Sequence, residues 1–152
     1  MTNYYSVGKI YIEGKESSIR RFLKEGLEGI DNDDVVIDFD DYYLNKRARI
    51  SGTNDAVVFS EYRGAYYTSA SGNIRCVEFG FDEPEEVEIE PLLSICKKYD
   101  VDICLTAFNP KSQVVFHIDI RDGEIFEHLR THYDAMFWEY IYDVYIEPAL
   151  CI

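Results

Sequence analysis

His117 and Asp119 are the first residues whose types and spacing suggest chemistry. Two positions apart on a strand, an imidazole and a carboxylate share one face and could pass a proton between them. Phe116, Ile118 and Ile120 alternate with them. The same pattern therefore also describes an antiparallel strand with one apolar and one solvated face. His128 and His132 stand four apart, so on a helix they would share a face. With His117 or Asp119 they could supply metal ligands, although the intervening Leu129-Arg130-Thr131 lacks the glutamate of a zinc-protease helix. The four cysteines (Cys76, Cys96, Cys104 and Cys151) form no C-x-x-C pair, which removes zinc ribbons and thioredoxin-like sites. Cys96 and Cys104 lie among apolar residues and read as buried thiols. No glycine-rich phosphate loop, calcium loop or activated nucleophile motif is present. Neither a cofactor nor a metal is implied.

Charge carries more information than any motif. The 29 acidic and 15 basic residues leave a net charge of −14. Residues 1–76 hold 12 Asp/Glu and 10 Lys/Arg, whereas residues 77–152 hold 17 and 5. A surface of that sign repels phosphates and anionic lipid, which argues against direct nucleic-acid binding and membrane-surface docking. It suits a basic protein partner. The densest signal is the run Asp82 to Glu90, within which Glu83, Glu85, Glu86, Glu88 and Glu90 are candidate partner-binding residues. Asp134, Glu139 and Asp143 would support them from the last third of the chain. Carboxylates interleaved with tyrosines can imitate the charge pattern of a nucleic-acid backbone and occupy a basic groove. The plainer reading is a solubilising acidic face.

These groups need elements to hold them. At 152 residues the chain is one ordinary domain, and it shows no repeat, low-complexity linker or domain boundary. Its apolar content of 47% supports a core, and no apolar run approaches the roughly 18 residues of a membrane span. The first residues lack the basic flank and apolar stretch of a secretory signal, and nothing demands an oxidising compartment, which places the chain in a cytoplasm. Thirteen Tyr, nine Phe and one Trp suit half-buried sheet surfaces. Alternation predicts strands over 5–12, 57–59, 65–68, 74–81, 101–108 and 114–120, and Asp122-Gly123 marks a hairpin turn before a strand at 124–126. Helical spacing predicts a helix from Ser17, capped by serine and stopped near Gly29, and a second from Glu90-Pro91 to Tyr99. The aromatic tail, 132–146, fits both a helix and a strand period, the helix more cleanly, and is read as helix.

The texts "IYIEGKESSIRRFLKEGL", "VEFGFDEP", "PLLSICKKYDVDICLTAF" and "HIDIRDGEI" follow one another in a strand–helix–strand–helix–strand–hairpin order. Over residues 7–30 and 74–125 this resembles the YubB-like ferredoxin-like domain family of phages and plasmids. The resemblance implies a mobile-element origin and brings no catalytic residues. The expectation is a single α+β domain over 1–152: an antiparallel sheet with two helices on one face, ferredoxin-like, plus a C-terminal helical extension. Its expected function is that of a non-enzymatic acidic inhibitor. It would bind a host nucleic-acid-binding defence protein, of anti-CRISPR or anti-restriction type, by nucleic-acid mimicry in the host cytoplasm. The alternatives are a small metal-dependent or acid–base enzyme using His117, Asp119, His128 and His132, or an oligomerising module built on the tyrosine-rich sheet.

Overall fold

The structure is a computed structural model that describes residues 5–30, 37–38, 43–44, 47–59, 65–68 and 74–132. In chain order the elements are β1 (Tyr5–Lys15), α1 (Glu16–Glu25), β2 (Leu27–Gly29), β3 (Ile37–Asp38), β4 (Tyr43–Leu44), β5 (Ala48–Ile50), β6 (Val57–Phe59) and β7 (Ala65–Thr68). They continue with β8 (Ile74–Pro84), α2 (Ile89–Tyr99), β9 (Asp102–Asn109), β10 (Val114–Arg121) and β11 (Glu124–His132). One antiparallel sheet runs β11-β10-β9-β1-β8-β6-β5-β2, with β7 also paired to β8, making nine strands. β3 and β4 form a separate two-stranded ribbon.

This corrects the ferredoxin-like expectation, which allows four strands. Short strands from residues 27–68 pair onward from β8 instead of decorating a finished sheet. β11 widens the opposite side, running to His132 where a strand of three residues was expected. The expected C-terminal helical extension lies outside the described residues.

The centre of the sheet is a crossover. β1 pairs antiparallel with both β8 and β9, which are therefore parallel to each other and joined through α2. Period-two alternation sends one side of these strands to the helices. Ile10 and Ile12 of β1 lie level with Phe79 and Val77 of β8 and with Leu105 and Ile103 of β9. Phe116, Ile118 and Ile120 of β10 extend the same buried layer. Each such side chain contributes about 1.5–3 kcal/mol when withdrawn from water.

Both helices cover this layer. α1 buries Ile19, Phe22 and Leu23, and α2 buries Leu92, Ile95, Cys96 and Tyr99. The rings of Phe22 and Tyr99 meet edge to face at 5.4 Å and lock the helices together. α1 begins one residue before the expected serine, with Lys15 as an N-cap that makes no side-chain bond. It ends at Gly26, whose N–H reaches the Phe22 carbonyl at 2.7 Å, and Gly29 belongs to β2 instead. Pro91 falls in the first turn of α2, where its missing N–H costs nothing. Asp122 and Gly123 both take positive φ, the geometry of a type I′ hairpin turn. No helix of the described residues is long and apolar enough to cross a membrane.

Candidate functional site

The acidic run splits into residues with opposite fates. β8 continues the alternation of Phe79 and Phe81 to Glu83, so Glu83 points to the helix side and is only 1% exposed. Its Oε2 accepts the Glu88 N–H at 2.9 Å, which folds residues 83–88 into the entry of α2. Its Oε1 is buried with no hydrogen-bond partner. Burial pushes the Glu83 carboxyl up to about 7, only partly offset by the Glu88 N–H. The loop is tied down beside it. Ser6 Oγ and Asn109 Nδ2 both donate to the Glu85 carbonyl, and Asn109 Oδ1 accepts the N–H groups of Lys111 and Ser112 at 3.1 Å. Glu85 itself sits at φ 61°, a left-handed conformation held by these bonds.

Glu86 is engaged as well. Arg130 of β11 grips its carboxylate through two bonds, at 2.6 and 2.8 Å, which hold the Glu86 pKa below the ordinary carboxylate range. Asp82 lies on the other side of the sheet, buried and paired with Arg47, with its pKa raised by desolvation against that pairing. Glu85, Glu88 and Glu90 remain exposed, and no ion pair holds them among the described residues. They cluster at the N-terminus of α2, where negative charge is also favoured by the helix dipole. Of the five expected partner-binding glutamates, the structure therefore turns Glu83 inward, neutralises Glu86 and presents the other three together. Asp134, Glu139 and Asp143 lie outside the described residues.

The histidines are placed differently from expectation. His128 and His132 lie on β11, a strand, so they stand about 13 Å apart along it. They are level with Ile118 and Val114, both core residues, and so face the helix side of the sheet. His117 and Asp119 point to the opposite side. The metal and acid–base grouping of these four residues is thus divided between two faces. No group of three or more His, Cys, Asp or Glu is placed to hold a metal among the described residues.

His117 instead meets two residues, Thr106 and Glu127, that sequence reading did not join to it. Its Nδ1 lies 3.1 Å from Thr106 Oγ1 on β9, and its Nε2 lies 3.5 Å from Glu127 Oε2 on β11. The signal for Thr106 was its level pairing with His117, which no local pattern encodes. A hydroxyl, an imidazole and a carboxylate in a row can relay a proton. Asp119 takes no part: Arg121 holds both its oxygens, at 3.1 and 2.8 Å, and the guanidinium lies 4.5 Å over Phe126. Asp119 is also buried, which the solvated-face reading did not anticipate. Cys96 is buried, with its thiol pushed up to about 12 by desolvation, and Cys104 is half-buried with its thiol raised for the same reason. Neither is a ready nucleophile.

No known family, no curated protein and no solved structure matches this chain.

Proposed function

We propose that the chain is a non-enzymatic acidic binding protein of mobile-element type. It acts in the host cytoplasm by occupying the basic, nucleic-acid-binding surface of a defence protein. The observation that carries this reading is the exposed trio Glu85, Glu88 and Glu90. It spans the loop and first turn of α2, an entry that part-buried bonds hold in one shape, in the half of the chain that holds 17 acidic and 5 basic residues. A preordered loop loses little entropy on docking, and its charge steers encounter with a cationic groove.

The test is a pull-down from host lysate followed by affinity measurement on the captured protein. Neutralising the trio as Glu85→Gln, Glu88→Gln and Glu90→Gln should weaken binding on the order of 100-fold, equivalent to about 3 kcal/mol. Circular dichroism should stay unchanged. Competing DNA and added salt should release the native protein from its partner. Unaltered affinity in the neutralised protein would sink the proposal.

A further inference from the structure

Three ties hold the segment between β8 and α2, and each has a different chemistry. The Glu85 carbonyl accepts from Ser6 Oγ and Asn109 Nδ2, and Asn109 Nδ2 also donates to Ser6 Oγ at 3.1 Å. Hydroxyl, amide and carbonyl do not titrate. Glu86 is gripped from outside by Arg130, which keeps its carboxylate ionised into the acid range. The third tie is the Glu88 N–H on Glu83 Oε2. It depends on a carboxyl that is buried with Oε1 unpartnered. A neutral carboxyl bears an unpartnered oxygen at modest cost, whereas a buried carboxylate does not. Glu85, at φ 61°, holds a left-handed conformation that costs energy while the segment is tied.

We propose that Glu83 is a proton-operated latch on the entry of α2. Protonated, it holds residues 83–88 in place and presents Glu85, Glu88 and Glu90 in one shape. Ionised, it releases residues 86–88, which swing about the untitrated tie at Glu85 and let water reach the carboxylate. The consequence for a basic partner rests on the function proposed above. Burial pushes the Glu83 carboxyl up to about 7; the Glu88 N–H opposes that rise and the Glu88 charge adds to it. Released into water, the group returns to its ordinary 4.5. The tied form is therefore favoured fully below pH 4.5 and loses about tenfold per pH unit until the pH passes about 7. The charged groups around Glu83 are Glu88, Glu90 in the first turn of α2, and Glu86 with Arg130 and His132 of β11. Ser6 of β1, level with Glu83, and Asn109 of β9 are neutral. Asp82, on the other side of the sheet, is also raised by burial, but it bonds Arg47 and no part of this segment. His132, 3.4 Å from Arg130 Nη1, is the rival source of pH dependence, because imidazoles ordinarily titrate near neutrality.

Hydrogen exchange of the Glu88 amide in the isolated protein, corrected for the intrinsic pH dependence of exchange, tests the latch. It needs no partner, so its outcome is separate from whether a basic partner exists. Protection should fall at least about tenfold between about pH 5.5 and about pH 8. Glu88 should exchange ahead of the Ile10 and Ile12 amides of β1 at every pH, as a local opening requires. Glu83→Gln keeps an acceptor for the Glu88 N–H and cannot ionise, so its protection should stay level. His132→Gln should follow the native curve. A native curve that is flat, or that coincides with those of Ile10 and Ile12, would overturn the latch even if Glu83→Gln does not fold. So would an equal fall in Glu83→Gln, or a curve flattened by His132→Gln. With a basic partner in hand, native affinity should decline over the same pH range and that of Glu83→Gln should not.

Discussion

Glu83 illustrates how one side chain in a charge run can serve the fold instead of the surface. Its carboxyl is buried, bonded through one oxygen and unpartnered at the other. The folded state therefore favours the protonated form, with a pKa raised from 4.5 to about 7. A group raised on folding stabilises fully below its unfolded pKa and loses that contribution as pH climbs through the folded one. Stability should therefore decline between pH 4.5 and pH 7 by about 3 kcal/mol from this residue. Glu83→Gln removes the ionisation. Urea midpoints should show the variant near the native protein at pH 4.5 and more stable than it at pH 8. Parallel pH profiles for both would mean the carboxyl is solvated. The inward turn of Glu83 was legible in principle, since it continues the parity of Phe79 and Phe81. The density of neighbouring acids hid it, because charge runs read as surface before their parity is counted.

The strands show the same division between local and distant information. Alternation located β1, β9 and β10, and the Asp-Gly pair located their hairpin partner, because these signals lie within a few residues of one another. The order of strands in the sheet was not legible: nothing in the text of β1 names residues 74–84 and 102–109 as its flanks. Gly8 records that placement. A Cβ there would come 1.9 Å from the Thr106 carbonyl oxygen, so β1 and β9 approach too closely for any side chain. Gly8→Ala should lower stability by at least about 1–3 kcal/mol, read as a fall in thermal midpoint. A neutral result would show that the strands can separate at no cost. The grouping around His117 was missed for the same reason. Thr106, His117 and Glu127 come from three strands and meet only through register.

At the scale of the whole molecule, the net charge of −14 is a burden on the folded state as well as a lure for cationic partners. Four described arginines are committed to specific carboxylates: Arg47 to Asp82, Arg49 to Asp55, Arg121 to Asp119 and Arg130 to Glu86. Screening should therefore raise the thermal midpoint. A shift of roughly 4 °C, equivalent to about 1 kcal/mol, is expected on moving from low to moderate salt. A falling midpoint would show that these pairs outweigh the repulsion.

The position of β1 also sets a timetable. It is synthesised before both of its neighbours, and β9 is complete only when residue 109 has been added. At about 5–20 residues per second, that interval lasts on the order of five to twenty seconds. Until residue 84 is added Ile10 and Ile12 travel on a strand with neither permanent partner made, and until residue 109 one flank of it stays open, so the newborn chain presents a sticky ribbon to the ribosome exit and to any chaperone waiting there.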